Sequence, residues 1–86
     1  MPKAAKMKAR VVVKLKEGVL DPQGKTIHQA LAKMGMAEVS RVRQGKFFEI
    51  EFEGVGKAEA LRRSEEIARK VLSNPIIENF EIEEVE

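Results

Sequence analysis

The sequence predicts an α+β fold of two layers, a β-sheet with helices on one of its faces. Residues 8–16 and 47–53 alternate apolar and charged side chains with a period of two, which is typical of half-buried strands. Residues 22–34 and 57–72 carry apolar side chains at helical spacing. Glycine and proline separate these stretches, so strands and helices follow one another in mixed order.

The first half of the chain is predicted to contain a strand, a helix and a second, short strand. In residues 8–16 the apolar side faces a core and the other side is basic, although Val12 interrupts the basic side. The helix over residues 22–34 has an apolar stripe and stops at Gly35. Its stripe consists of Ile27, Ala30, Leu31 and Met34. Residues 38–43 are predicted as a short strand, and residues 44–46 as a tight turn.

The second half is predicted to contain a strand, a helix and a final strand. In residues 47–53, three apolar side chains point one way and three glutamates the other. The helix over residues 57–72 is stopped by Asn74-Pro75, because the residue before proline is pushed out of the helical conformation. Its inward side is predicted to consist of Leu61, Ser64, Ile67, Ala68, Val71 and Leu72. Residues 76–85 form the last strand, with Phe80 and Ile82 inward.

The order of elements is that of a ferredoxin-like βαββαβ sandwich. This topology predicts a four-stranded antiparallel sheet in the order four, one, three, two, with both helices on one face. The first strand is then central, and its basic side lies between the outward glutamates of residues 47–53 and those of the last strand, Glu81 and Glu83. Such cross-strand pairs contribute only about a few tenths of a kcal/mol each, and they account for the basic start and acidic end of the chain without any ligand.

Composition limits the classes of function. A chain of 86 residues buries only about 60–65% of its unfolded surface, so association with other subunits is expected. The absence of cysteine excludes disulfides and thiolate metal sites, and a single histidine argues against a zinc centre. No apolar run is long enough to span a membrane, and residues 1–6 lack the apolar core of a signal peptide. A cytoplasmic protein with no membrane partner is expected.

The outward face of the predicted sheet is less polar than expected for a face that contacts only solvent. Val12 and Phe47 are predicted to point outward among the charges, as are Ile77 and Val85. Exposed apolar groups of this kind mark interaction sites. We therefore expect this face, or the strand edges, to pack against a second copy of the chain, with Val12 and Phe47 as the self-association residues.

The letters at the start of the first helix, Asp21-Pro22-Gln23-Gly24, have two interpretations. Asp followed by Pro opens a helix well, because Asp accepts hydrogen bonds from free amides and Pro has none to satisfy. The same letters also suit a type I turn. Gly24 costs about 1 kcal/mol of helix propensity relative to Ala. It either leaves room for a neighbouring subunit at the helix entrance or merely closes a turn.

The sequence contains no motif that is typical of a catalytic site. Gly54-Val55-Gly56-Lys57 lacks the spacing and the Ser or Thr of a phosphate loop, and is interpreted as a strand-to-helix connection. His28 has no nucleophile or relay partner at a suggestive spacing. RNA binding is disfavoured, because only Phe47 would offer a stacking ring and three glutamates would repel phosphates. No catalytic, cofactor-binding or metal-binding residue and no nucleic-acid partner is predicted.

Three motifs together resemble a known family. They are Gly-Val-Leu-Asp-Pro-Gln-Gly at residues 18–24, Val-Ser-Arg-Val-Arg-Gln-Gly-Lys at residues 39–46 and Leu-Ser-Asn-Pro-Ile-Ile-Glu at residues 72–78. In this order they are similar to the signature of PurS, the small subunit of phosphoribosylformylglycinamidine (FGAM) synthase. The resemblance covers residues 8–82. It implies a single PurS-like domain over residues 8–86, preceded at residues 1–7 by a basic extension that is either a disordered arm or the product of a misplaced start codon.

The resemblance implies a non-catalytic role in purine biosynthesis. PurS joins the glutaminase subunit PurQ to the synthetase subunit PurL, which uses ATP and magnesium, and is thought to assist ammonia transfer between them. The implied product is FGAM, made from formylglycinamide ribonucleotide (FGAR), and the implied self-association is a dimer or tetramer. Position 80 is Phe where the family pattern suggests Tyr, which leaves no phenolic hydroxyl there.

Residue-by-residue matching suggests where partner subunits touch this chain. The implied contact residues are Asp21, Pro22, Gln23, Gly24, Arg43, Gly45, Lys46, Asn74 and Pro75. Each also has a purely structural interpretation as turn chemistry. A different class remains as an alternative: a regulatory module of the ACT kind, which shares the order of elements and would bind an amino acid at a dimer interface.

Overall fold

The structure, a computed structural model, describes residues 6–86 and contains three strands and two helices in this part of the chain. In chain order they are β1 (Lys6–Leu15), α1 (Pro22–Lys33), β2 (Gly45–Glu53), α2 (Lys57–Ile67) and β3 (Glu78–Val85). A π-helical segment, Ala68–Leu72, continues α2 directly and is called the π-turn below. Residues 1–5 of the predicted extension lie outside the described residues, whereas Lys6 and Met7 belong to β1.

The three strands form one antiparallel sheet in the order β2-β1-β3. The prediction of an α+β fold with the first strand in the centre is confirmed. The inward side of β1 forms the middle of the core, since Ala9, Val11 and Val13 are fully buried. Half-buried rings from the neighbouring strands, Phe48 and Phe80, pack beside them.

The predicted fourth strand is wrong. Residues 38–43 form no strand, so the sheet within residues 6–86 has three strands where four were expected. The predicted tight turn at residues 44–46 is also wrong, because Gly45 and Lys46 already belong to β2 and pair with Lys14 and Val13. The physical reason is that this segment bonds to the loop before α1 and to the start of α1 instead of to a strand edge, as described below.

A β-bulge shifts the pairing of β1 with β3. Arg10 lies opposite Glu84 whereas Val11 lies opposite Ile82, so Glu83 is an extra residue in β3. Beyond the bulge the alternation of β3 reverses. Val85, predicted to point outward, is therefore buried in the core at 8% exposure.

The bulge also changes which carboxylates face the basic side of β1. Arg10 forms ion pairs with Glu84 (2.9 Å), Glu86 (3.5 Å) and, on the opposite strand, Glu49 (3.6 Å). The prediction that a basic side chain of the central strand lies between glutamates of both neighbours is confirmed at this position. Glu81, predicted as one of the partners, lies opposite Val12 instead.

Helix α2 packs on the sheet through a stripe of small side chains. Ala60, Ser64 and Ala68 recur every four residues and are fully buried, and the Ser64 hydroxyl donates to the carbonyl of Ala60 at 2.7 Å. The helix contacts β1 and β3. Two residues predicted to face the core, Leu61 and Val71, lie off this stripe and are 40% and 75% exposed.

Helix α1 is not packed on the sheet of its own chain. It makes only marginal contact with the described strands and with α2, so the prediction of two helices on one sheet face holds for α2 alone. Its apolar stripe is left open, with Ile27 41% and Met34 68% exposed. The molecule is accordingly long and thin, measuring 59 × 27 × 14 Å.

Candidate functional site

Asp21 opens α1 and ties it to a distant part of the chain. It is the N-cap residue, and Pro22 is the first helical residue, so the helix-start interpretation of these letters is confirmed. One oxygen of the Asp21 carboxylate accepts from the amide of Gly24 at 2.9 Å, and the other accepts from the amide of Gln44 at 2.8 Å. These bonds, Gln44 first and Gly24 second, lower the pKa of Asp21.

Gly24 is the buried residue of α1. A Cβ at this position would collide with the carbonyl oxygen of Val42 and would lie 2.5 Å from Oδ2 of Asp21. The close approach of backbone that the sequence suggested here therefore occurs within the chain, between the first turn of α1 and the segment before β2. A contact of Gly24 with a neighbouring subunit stays a prediction.

The segment of residues 39–44 is fastened to the loop before α1 by two arginines. Arg41 forms a bidentate pair with Glu17, at 3.1 and 2.9 Å, and Arg43 lies 2.8 Å from the same carboxylate. Arg43 also donates to the carbonyl of Leu15 at the end of β1. The hydrogen bond and charge of Arg41, followed by the charge of Arg43, lower the pKa of Glu17.

Two further side-chain bonds complete this connection. The Gln44 amide donates to the side-chain oxygen of Gln23. A ring nitrogen of His28, Nε2, lies 2.8 Å from the carbonyl of Val39. Side-chain bonds therefore hold residues 39–44 against α1 and the loop before it, and they engage the Val39 carbonyl and the Gln44 amide of the segment's backbone.

At the start of β2, a second set of predicted contact residues meets the last connection of the chain. Lys46 lies 3.4 Å from the carboxylate of Glu78, which accepts from the amide of Asn74 at 2.6 Å. The side chain of Asn74 in turn accepts from the amide of Ile76 at 3.1 Å, as in an Asx turn. Gly45 is needed where β2 passes β1, because a Cβ there would lie 2.5 Å from the carbonyl oxygen of Val13.

A surface groove of about 410 Å³ brings most of these residues together, and we call it the helix-start groove. Its lining includes Asp21, Pro22, Gln23, Gly45, Lys46 and Glu78. Gly24 and Arg43 lie beside it, joined to it through Asp21 and Gln44. Pro75 lines a neighbouring groove that shares Glu78.

The predicted self-association residues lie elsewhere. Val12 and Phe47 are directly opposite each other in the pairing of β1 with β2. Val12 is half-buried and Phe47 is 55% exposed. They form a small apolar area on the outward face of the sheet, apart from the helix-start groove.

Sequence reasoning missed two carboxylates that organise the site, Glu17 and Glu78. Glu17 receives both arginines of the 39–44 segment, and Glu78 joins Lys46 to Asn74. A weak signal existed for Glu17, since it is the acidic residue directly after the basic strand. The cations that pair with them are 24 to 32 positions away in the sequence, so local patterns could not identify these ion pairs.

The helix-start groove presents a polar surface whose charged groups are already paired or hydrogen-bonded. Within residues 6–86, no group of three or more His, Asp or Glu side chains could hold a metal ion. None of the described helices is long and apolar enough to cross a membrane. The carboxylates of the helix-start groove already accept bonds from backbone amides or pair with cations.

A family model for PurS, described as "Phosphoribosylformylglycinamidine (FGAM) synthase", matches residues 8–86. The chain belongs to the PurS family. The PurS subunit of Methanocaldococcus jannaschii is 41% identical over 75 residues, which cover 87% of this chain and 90% of the relative. That of Bacillus subtilis is 42% identical over 81 residues, which cover 91% of this chain and 94% of the relative.

Solved PurS structures are similar along nearly the whole chain. Thermus thermophilus PurS superimposes with a TM-score of 0.85 at 32% identity, covering 95% of this chain and 96% of that one. A chain in the structure of PurLQS from Thermotoga maritima gives a TM-score of 0.82 at 28% identity, covering 91% and 95%. The family resemblance carried by the three sequence motifs is therefore confirmed.

Proposed function

We propose that this PurS chain is a non-catalytic small subunit that joins the glutaminase PurQ to the synthetase PurL in FGAM synthase. The observation that carries the proposal is the PurS match over residues 8–86, supported by the similarity to a chain of the PurLQS assembly of Thermotoga maritima. The same match supports this function over the alternative of an ACT-like regulatory module.

The chemistry of the synthase explains why such a joining subunit is useful. Conversion of FGAR to FGAM with glutamine and ATP needs ammonia as a neutral nucleophile. Ammonia released into water near neutral pH is mostly protonated, and the ammonium ion has no free electron pair for attack. A subunit that holds the two active sites in one assembly limits this loss and thereby assists ammonia transfer.

The proposal assigns ATP and magnesium to the synthetase, and assigns this chain neither a cofactor nor nucleic acid or a membrane as partner. It is supported by how the polar groups of the helix-start groove are used. Asp21 and Glu78 accept from backbone amides, and Lys46 pairs with Glu78. The assembly is proposed to be cytoplasmic, as expected for an enzyme of nucleotide biosynthesis.

The helix-start groove is the proposed contact area for a partner subunit. It collects Asp21, Pro22, Gln23, Gly45 and Lys46 from two separate motifs on one concave surface. Gly24, Arg43, Asn74 and Pro75 surround or continue this surface and complete the set of proposed contact residues. The bonds of Asp21 and Glu17 connect the backbone segments on either side of this surface.

Self-association belongs to the same proposal. The open stripe of α1 and the Val12–Phe47 area are apolar surfaces that residues 6–86 leave largely exposed. A helix whose stripe faces water is stabilised by burying it against another surface. We propose a homo-oligomer, a dimer or tetramer, in which copies of this chain cover these areas for one another.

The test is an assay of FGAM formation by the cognate synthetase and glutaminase with and without this chain. With glutamine as nitrogen donor, turnover should require the chain. With a high concentration of ammonium salt at alkaline pH, the synthetase alone should form product, because neutral ammonia is then supplied from solution. Equal glutamine-dependent turnover without the chain would contradict the proposal, as would hydrolysis of glutamine or ATP by the isolated chain.

A further inference from the structure

Arg69 differs from the other arginines of the chain. The sequence contains six, and within residues 6–86 five of them form ion pairs with glutamates: Arg10, Arg41, Arg43, Arg62 and Arg63. Arg69 forms none with any described residue. Its guanidinium carbon instead lies 5.9 Å from the centre of the Phe80 ring, a distance at which a cation is attracted to the ring face.

Arg69 lies in a groove of about 350 Å³ that we call the Arg69 groove. Lys16 is a second cation in its lining, and it too forms no ion pair with any residue of the described chain. Glu78 also lines the groove, but its carboxylate already pairs with Lys46 and accepts from the Asn74 amide. The groove therefore presents two uncompensated positive charges.

The backbone that carries Arg69 is irregular and well fixed. Arg69 belongs to the π-turn, and π-helical segments occur frequently at functional sites. Both the amide and the hydroxyl of Ser73 donate to the carbonyl of Ala68, at 2.9 and 2.7 Å. These bonds close the wide turn, and the Phe80 ring favours the position of the guanidinium over its face.

Apolar surface adjoins the two cations. Pro75 lines the groove, and Ile76, the next residue, is 81% exposed. A ligand that combines a carboxylate with a neighbouring apolar side chain satisfies both features. Arginine is well suited to the carboxylate, since its fork donates two parallel hydrogen bonds to it.

We propose that the Arg69 groove binds an acidic segment of a partner subunit of the synthase, with a carboxylate on Arg69 and Lys16 and an apolar side chain beside Pro75 and Ile76. The inference rests on the proposed function, because it takes the partner from the same assembly. It adds Lys16 and Arg69 to the contact residues, and it places a charge-dependent contact in the groove that shares Glu78 with the helix-start groove.

The test compares Arg69→Gln with Arg62→Gln. Both remove one exposed arginine from the same helical run, but the guanidinium of Arg62 is already paired with Glu59 at 2.5 Å. Binding of the labelled full-length chain to the cognate synthetase and glutaminase is measured by fluorescence anisotropy at low and high NaCl. Arg69→Gln should weaken binding about tenfold or more, as expected for loss of a charge-assisted contact, whereas Arg62→Gln should change it less than about twofold.

Two further measurements make the outcome decisive. Lys16→Gln should weaken binding in the same direction, and the salt dependence of binding should be smaller in the Arg69→Gln variant than in the unmodified chain. Circular dichroism verifies that each variant is folded. Unchanged binding by folded Arg69→Gln would overturn the inference and leave the proposed function standing, whereas failure of the unmodified chain to bind either subunit would overturn both.

A second copy of this chain is the competing occupant. Sedimentation of the isolated chain distinguishes it, since Arg69→Gln should leave the oligomeric state unchanged. A shift of that variant to smaller species, with binding to the synthetase and glutaminase retained, would assign the groove to self-association and overturn the inference.

Discussion

Gly24 shows how a residue that weakens a helix can be required by the contacts of that helix. In the first turn of α1 it lowers helix propensity, yet the carbonyl of Val42 and the carboxylate of Asp21 occupy the space where a side chain would begin. Asp21 can then bond both to the helix amides and to Gln44. At the residue scale, one missing side chain permits a connection between segments some twenty positions apart.

The first prediction concerns this close approach. Gly24→Ala should lower the free energy of unfolding by roughly 1–3 kcal/mol, because overpacking against fixed backbone outweighs the gain in helix propensity. Gly56→Ala is the control, since Gly56 has an ordinary negative φ and no atom near its missing Cβ. Its cost should stay below about 1 kcal/mol, the value of an N-cap change. Urea unfolding measures both, and equal effects would contradict the structural role of Gly24.

The second prediction concerns acid. The pKa values of Asp21 and Glu17 are lowered in the folded chain, chiefly by the Gln44 amide and by Arg41. Their contribution to stability is therefore present above the unfolded pKa of about 4 and is lost as pH falls through the lower folded values. Asp21→Asn should lose less stability than the unmodified chain between pH 7 and pH 3. Thermal unfolding at both pH values checks this, and parallel losses would contradict it.

At the scale of elements, the two helices differ in what they bury. Helix α2 meets the sheet through small side chains, so its backbone approaches β1 closely and its larger residues Leu61 and Val71 remain outside. Helix α1 has larger apolar residues but no described sheet surface to cover. The same periodic pattern thus predicted both helices correctly while giving no information on how either one packs.

The third prediction tests the α2 contact. Ala60→Leu should destabilise the fold by roughly 1–3 kcal/mol, because Ala60 is fully buried and a larger side chain has no space there. Ala58→Leu makes the same change on the exposed side of the same helix and should change stability by less than about 0.5 kcal/mol. Chemical denaturation of the two variants measures the difference, and similar destabilisation by both would contradict the packing of α2.

At the scale of the whole molecule, the chain is more extended than a compact domain of the same length. Its radius of gyration is 17.2 Å. A compact domain of this size has a value of about 12 Å. The excess comes with a length of 59 Å and a helix α1 that packs on none of the described strands. A shape of this kind is stabilised in an assembly, in agreement with the proposed homo-oligomer and the proposed place between two enzyme subunits.

The fourth prediction separates the two candidate self-association surfaces. The isolated chain should sediment as a dimer or larger species at micromolar concentration. Ile27→Glu should shift it toward the monomer if the α1 stripe is buried between copies, whereas Gln29→Glu adds the same charge off that stripe and should not. Phe47→Glu tests the outward sheet face in the same way. A monomeric unmodified chain would contradict the proposed self-association.

The sequence predicted well those elements that depend on neighbouring residues, and it predicted poorly those that depend on contacts distant in the sequence. The strand over residues 47–53 was predicted well, because strict alternation of apolar and charged residues is a property of consecutive positions. Residues 38–43 were predicted as a short strand but form none, because Arg41 and Arg43 bond to Glu17 and the next amide bonds to Asp21. The candidate contact residues were found through motifs, whereas Glu17, Glu78 and Lys16 needed the folded geometry.

The sequence by itself determined the two helices, the antiparallel strands with a basic strand in the centre, and the PurS family. The reason is that periodicity and motifs are properties of residues close together in the sequence. The tertiary structure decided the number of strands, the bulge that turns Val85 inward, the position of α1 away from the sheet and the charges left open around Arg69. Those features depend on contacts between residues far apart in the chain. A pattern of neighbouring residues does not reveal which distant residues will meet.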